Sequence, residues 1–321
     1  MLTVLASVDG VVRKESAIDP AWLAPDSPVT FWADLSKPTS EEAGLLRSLF
    51  HFHELAVEDA LSQSHHPKVE SYGAFLYVIL HGIDFEAAKH RFATHDTDFF
   101  VGPHYLVTVH DGTSRSIATM RDVCHRNEHV LEDGPVGLLH RIVDTMVDNY
   151  LPEIEKLADR LEHIEHRVFD DPSDNLVKPI LSLKRDVASM RRVLLPQRDV
   201  IGRLARREFS VITEQLSYRF RDVYDQMVRL TDESMLFHDR LSSLLDAHLT
   251  SISTRLNQVM KVLTVIATIF MPLTVLTGMW GMNVPLPAFP GGDEMQFWWI
   301  VALMVVATAS MLWLFRLRRW M

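Results

Sequence analysis

The chain has 321 residues, 47% hydrophobic and 23% charged, a balance that supplies a substantial core and excludes global disorder. With 13 Gly and 15 Pro against 14 Met, 16 Phe and 7 Trp it is neither collagen-like nor low-complexity, and its one cysteine, Cys124, excludes an intramolecular disulfide and a cysteine-built zinc site. The net charge of −10 divides unevenly, with −13 on residues 1–254 and +3 from Arg255 onward, so an acidic body without a basic patch argues against nucleic acid as a partner.

The opening stretch MLTVLASVDGVVRKES carries its charges behind its apolar run and is not read as a signal peptide. Residues 1–112 mix β-rich segments (LTVLASV, VTFWADL, FLYVILHGID, DFFVGPHYLVTVH) with the helix-like SEEAGLLRSLF, whose start falls at Ser40 with Glu41 and Glu42 in the first turn. An N-terminal α/β domain follows, within an α+β cytoplasmic part. From Ser114 the β signals vanish. Residues 113–210 read as cytoplasmic helices that include a hairpin, one arm at about 136–169 and the other at about 173–207, turning at DDPSDN from Asp170 to Asn175.

Residues 211–282 read as a stalk helix that continues into a first membrane span. Apolar residues at Val223, Met227, Leu230, Phe237, Leu241, Leu244, Ile252, Val259 and Leu263 keep a near-heptad spacing, and a helix over 213–282 would extend roughly 100 Å. A single chain is expected to leave part of this seam uncovered, which predicts a symmetric homo-oligomer; packing on the chain's own hairpin is the alternative for part of it.

No charge occurs between Lys261 and Asp293, and Val262 to Met282 is long enough to cross hydrocarbon. A second uncharged run, Met295 to Phe315, opens with Trp298 and Trp299 at a headgroup boundary. The connection, 283–294, holds Pro285, Pro287, Pro290, Gly291 and Gly292, which forbid helix, and its only charges are Asp293 and Glu294. Basic residues flank the two spans on the other side: Arg255 and Lys261 before the first, Arg316, Arg318 and Arg319 in the tail 316–321. The positive-inside rule therefore puts both termini in the cytoplasm and the loop outside. The predicted architecture is an acidic cytoplasmic body on a two-helix transmembrane hairpin in a cell membrane.

Two spans per chain cannot enclose a pathway, so a pore would have to lie on an oligomer axis. Asn257, Met260, Thr264, Ala267, Met271, Thr274 and Gly278 recur at spacings of three and four along the first span. Small and weakly polar groups at that spacing suit a pore lining and suit equally a helix-packing face.

At the outer end of this span stand Trp280, Gly281, Met282 and Asn283. The stretch MKVLTVIATIFMPLTVLTGMWGMN resembles the CorA family of divalent-cation channels, whose signature is Gly-Met-Asn; the likeness extends to RDVYD (Arg221 to Asp225), HELAVEDAL (His53 to Leu61) and HPKVE (His66 to Glu70). The resemblance implies a funnel-shaped homopentamer that takes up Mg2+, and also Co2+ or Ni2+, with Gly281, Met282 and Asn283 as selectivity filter. It implies pore positions at Thr274, Met271, Leu263, Met260 and Asn257, the Met and Leu rings forming a hydrophobic constriction. It also implies Mg2+ in a second role, as a regulatory ion at Asp59 and Asp222 between neighbouring subunits. Amide carbonyls suit the filter because Mg2+ dehydrates reluctantly, and a ring of them can hold its water shell weakly. Gly281 is expected to permit the backbone turn that aims them.

Where magnesium-transporting members often carry Met-Pro-Glu-Leu after the signature, this chain has VPLPAFPGGDEMQ, and the following Phe297-Trp298-Trp299 is closer to the ZntB branch of zinc transporters. Mg2+ stays the favoured cargo, with zinc transport of the ZntB type and a membrane-anchored sensor without transport as alternatives. The histidines His51, His53, His65 and His66 lack the spacing of a zinc site, and neither a GxSxG elbow nor a Walker-type loop is present, so no enzymatic activity is expected.

Overall fold

The computed structural model describes residues 1–8, 10–62, 66–86, 91–127, 129–170, 176–282 and 293–318, with the backbone alone at 84–86, 91–93, 169–170 and 293–294. These fall into two compact units, Met1–Leu245 and Asp246–Met321.

The first unit is built on a seven-stranded sheet. In chain order its strands are β1 (Leu2–Val8), β2 (Val11–Glu15), β3 (Thr30–Ser36), β4 (Lys68–Ser71), β5 (Leu76–Glu86), β6 (Arg91–Val101) and β7 (Tyr105–His110). Their order across the sheet is β2-β1-β3-β7-β6-β5-β4, with β3 and β7 parallel and the other pairs antiparallel. The single run DFFVGPHYLVTVH is thus two strands. Gly102 makes their turn, donating its N–H to the Tyr105 carbonyl at 2.9 Å. Strand β2 was not foreseen; its VVRKE, with charges on a short outer strand, is how sheets blunt an edge.

Side-chain alternation gives the sheet two apolar faces. One carries Phe31, Ala33, Tyr77, Phe100 and Val107 beneath α1 (Ser40–Ser48) and α2 (Glu54–Leu61). The other carries Trp32, Val78, Leu80, Phe99 and Leu106 within the core shared by the later helices. These are α3 (Arg115–Arg126), α4 (Gly134–Asp148), α5 (Leu151–Asp170), α6 (Val177–Ala205) and the first part of α7 (Glu214–Trp280). Helix α1 starts at Ser40, as expected, and is capped by Thr39: Glu42 N–H donates to Thr39 Oγ1 at 3.3 Å and the Glu42 carboxylate accepts from Thr39 N–H at 2.9 Å.

The helix expected over 136–169 is two helices, because Pro152 lacks an N–H and crowds the carbonyl four residues earlier, so α4 ends at Asp148 and α5 starts afresh at Leu151. Its hairpin partner is α6; the turn residues 171–175 lie outside the described residues. The heptad seam divides in two. Val223, Met227, Leu230, Phe237, Leu241 and Leu244 of α7 are buried in the chain's own core, whereas Val259 and Leu263 are exposed. The chain's own helices therefore cover the seam up to Leu244.

A polar bridge ties sheet to helices where β4 runs out. The last β4–β5 pair among the described residues is Lys68 with Ile79, and beyond it side chains of the helices meet the edge of β5. Gln197 of α6 accepts from His81 N–H at 2.6 Å, Tyr150 O–H donates to the His81 carbonyl at 2.6 Å, and Gln197 donates to the Tyr150 hydroxyl. All three residues are buried, and a buried polar group left unpaired there would cost about 1–3 kcal/mol.

On the opposite face Tyr77 O–H donates to Asp98 Oδ1 at 2.5 Å. Burial, aided by the nearby Asp96 and Asp59, pushes the Asp98 carboxyl up to about 7, the Tyr77 hydrogen bond acting the other way. With its folded-state value raised, Asp98 keeps a proton that the unfolded chain has lost between about pH 4 and about pH 7, so its contribution to stability is present at low pH and is lost as pH rises through that interval. Asp98→Asn, which keeps an acceptor for Tyr77, is expected to flatten that part of the thermal-midpoint curve against pH. Curves of equal slope for the variant and the wild type would contradict the shift.

Candidate functional site

The second unit contains α7 from Asp246 to Trp280 and α8 (Asp293–Leu317). Both helices are long and apolar enough to cross a membrane, and their most apolar stretches are not buried by anything in the chain. Cover is nevertheless uneven. On α7 the half-covered residues of this stretch are Lys261, Val265, Ile269, Pro272, Leu273, Leu276 and Trp280; on α8 they include Ile300, Met304, Ala307, Met311 and Phe315. Each set recurs at three and four residues and so forms one face. At about 100° per residue, the middle of the half-covered face of α7 lies about 150° around the helix from the middle of the stripe Asn257, Met260, Thr264, Ala267, Met271, Thr274 and Gly278. All seven stripe residues are exposed, as is Leu263 on its flank.

The stripe's hydroxyls are oriented by the helix. Thr264 Oγ1 donates to the Met260 carbonyl at 2.7 Å and Thr274 Oγ1 to the Phe270 carbonyl at 2.9 Å. With its hydrogen committed to the backbone, each hydroxyl oxygen has only acceptor capacity left for whatever lies beside the stripe. Pro272 sits inside the helix, and having no N–H it withdraws the usual helical donor from the Thr268 carbonyl.

Helix α7 stops at Trp280. Gly281 N–H donates to the Thr277 carbonyl at 2.9 Å and Met282 N–H to that of Met279 at 3.4 Å. Gly281 is not among the residues with positive φ, so a left-handed turn is not why glycine stands there. A Cβ at this position would lie 3.2 Å from the Thr277 oxygen, and the absence of a side chain lets the chain close against that carbonyl. Asn283 lies outside the described residues, as do the side chains of Asp293 and Glu294, whose backbone opens α8.

In the first unit Asp59 and Asp222 have different surroundings. Asp59, near the end of α2, accepts from Lys68 Nζ at 2.6 Å. Asp222 is exposed on α7 and lies close enough to Asp144 of α4 to act on it: burial raises the Asp144 carboxyl above the usual carboxylate range, and the negative charges of Asp148 and Asp222 raise it further. Asp148 Oδ1 in turn accepts from Gln226 Nε2 of α7 at 3.0 Å. Asp144 and Asp148 escaped the sequence reading. Their spacing of four on an amphipathic helix, which puts both carboxylates on one face, was the available signal. Among the described residues no three His, Cys, Asp or Glu side chains of the chain are grouped so as to hold a metal ion by themselves.

Of the histidines, His53 caps α2, its Nδ1 accepting from Leu55 N–H at 3.3 Å while its ring lies 5.1 Å from that of Tyr72. His51 and His66 are exposed, and His65 lies outside the described residues.

The family model described as CorA-like Mg2+ transporter protein matches residues 29–319. The cobalt/magnesium transport protein CorA of Thermotoga maritima is 30% identical over 277 residues, 85% of this chain and 78% of that protein. The zinc transport protein ZntB of Yersinia pseudotuberculosis is 26% identical over 340 residues, 98% of this chain and 91% of that protein. Among solved structures, the complete CorA magnesium transporter of Methanocaldococcus jannaschii superposes with a TM-score of 0.82 at 25% identity, covering 98% of this chain and 97% of that one.

Proposed function

Because the chain belongs to the CorA-like Mg2+ transporter family, we propose that it is a divalent-cation channel with Mg2+ as principal cargo and Co2+ or Ni2+ as further ones. Both ends lie in the cytoplasm, residues 283–294 join the spans outside, and five copies set their α7 helices around one axis. One observation carries this most directly: the stripe from Asn257 to Gly278 is exposed and faces away from the half-covered side of its own helix, which leaves it available to line a lumen made with other copies.

At the mouth, a ring of Asn283 carbonyls accepts hydrogen bonds from the water shell of the ion, while Asp293 and Glu294 raise the local cation concentration. Gly281 and Met282 form the close turn beneath. The Thr274 hydroxyls, with acceptor capacity turned outward, continue the outer-shell contacts inward. Met271, Leu263 and Met260 then form the narrow apolar part, which gates by dewetting, and Asn257 receives the ion beyond it. The membrane potential supplies about 4.6 kcal/mol per 100 mV for an inward-moving divalent charge, so no nucleotide is needed. Cytoplasmic Mg2+ regulates the gate by bridging Asp222, together with Asp144 and Asp148, to Asp59 of a neighbouring copy; its loss removes that bridge between copies and loosens the stalks.

Uptake of Mg2+, Co2+, Ni2+ and Zn2+ by the purified protein in liposomes, with and without a pH gradient, tests the assignment. Mg2+ uptake driven by membrane potential alone is expected. Zn2+ uptake that requires the pH gradient would move the protein to zinc transport, and flux of none of the four would leave a membrane-anchored sensor.

A further inference from the structure

The Asp59 carboxylate already has a cation. Lys68, the first residue of β4, places Nζ 2.6 Å from Asp59 Oδ2 and 3.1 Å from Glu70 Oε2, and 5.5 Å from the centre of the Tyr77 ring. Three elements converge on this ammonium. Asp59 comes from the last turn of α2, Lys68 and Glu70 share one face of β4, and Tyr77 of β5 stands opposite Glu70 in the strand register. Tyr72 O–H donates to the same Glu70 oxygen at 3.0 Å, and behind the Tyr77 ring lies the buried Asp98. Burial alone would lower the pKa of the ammonium, but its hydrogen bonds to Asp59 and Glu70 outweigh that effect and hold it above the usual lysine value. Lys68 is therefore charged throughout the physiological range.

We propose that Lys68 is a tethered counter-ion occupying the cation position at Asp59, so that a divalent ion engages this carboxylate only by displacing the ammonium. This rests on the assignment of Asp59 to the regulatory site. The ammonium is joined to the fold through β4 and competes at no concentration cost, whereas a divalent ion brings twice the charge but must come from solution. The balance between them sets the concentration at which Asp59 takes up metal. Lys68 is in this sense a positioning residue that tunes affinity without itself touching the metal.

Mn2+, a hard divalent ion visible by electron paramagnetic resonance, is the probe, titrated into full-length protein in detergent. Lys68→Met is expected to lower the half-saturating Mn2+ concentration about three- to tenfold, a range limited by the partial exposure of both partners. Lys68→Arg should behave as wild type, and the gain should vanish in Asp59→Asn/Lys68→Met. A Lys68→Met protein with wild-type affinity, or one whose tighter binding survives Asp59→Asn, overturns the proposal. Lys68→Gln serves the same comparison if the Met variant does not fold. Protease sensitivity of wild-type protein with and without Mg2+ is read in parallel. Indifference to Mg2+ there would remove the regulatory assignment, while the Mn2+ titration still decides whether Lys68 competes at Asp59.

Discussion

Asn283→Ala is expected to reduce Mg2+ uptake in liposomes to background while leaving the oligomer intact. A hydrogen bond involving a charged partner contributes about 1.5–3 kcal/mol net, and each 1.36 kcal/mol is a factor of ten in rate, so the loss of even one contact to the polarised water shell of Mg2+ is costly. In a symmetric ring every copy loses its contact at once. In sequence the residue comes after α7 and well beyond the buried seam of Val223 to Leu244, so assembly should be untouched. Size-exclusion chromatography of the variant checks that point, and normal flux would remove Asn283 from the filter. Gly281→Ala should do less: a methyl group 3.2 Å from the Thr277 oxygen shifts the turn by tenths of an ångström rather than deleting a ligand.

The second large effect is a gain. Met260→Asn or Leu263→Asn is expected to raise basal flux at high cytoplasmic Mg2+, the condition under which the proposed regulation closes the wild-type channel. Both side chains are exposed on α7, so an amide can be accommodated without breaking a packed contact within the chain. If each change wets the constriction enough to lower its barrier by about 1.4 kcal/mol, flux rises about tenfold. Flux measured against internal Mg2+ separates this from a change in regulation, because a wetted gate conducts at every Mg2+ concentration. Unchanged or lower flux in both variants would put the gate elsewhere along α7.

Much of the fold could be read from local pattern because local physics decides it. Thr30–Ser36 and Tyr105–His110 are β-rich runs that became central parallel neighbours, and the uncharged runs Val262 to Met282 and Met295 to Phe315 became the C-terminal part of α7 and nearly all of α8. What escaped depends on position in three dimensions. The edge role of Val11–Glu15 is set by which strand lies outermost, and the break at Asn149–Tyr150 by a proline whose effect falls on residues before it. The heptad seam was legible, but which partner buries it was not, since helices of the same chain and of another copy present the same apolar chemistry. At the candidate site, the spacing from Asn257 to Gly278 could be read along the helix, whereas which side is already half-covered could not. The Asp59–Lys68 pair was likewise hidden. Its members are nine positions apart, and only the return of the chain from α2 into β4 brings them together.

The division of α7 also orders the birth of the protein. Phe220, Val223, Phe237, Leu241 and Leu244 supply one wall of the first unit's core, yet they come last among its residues and directly before the first span. During synthesis the N-terminal sheet can pair early, but the helical layer stays incomplete until Leu244 has left the ribosome, when the apolar span is next to emerge. Folding of the soluble part and delivery of the chain to the bilayer are consecutive events on one helix. A nascent chain stalled before Leu244 would expose core leucines and valines to the quality-control machinery as well as lacking its anchor.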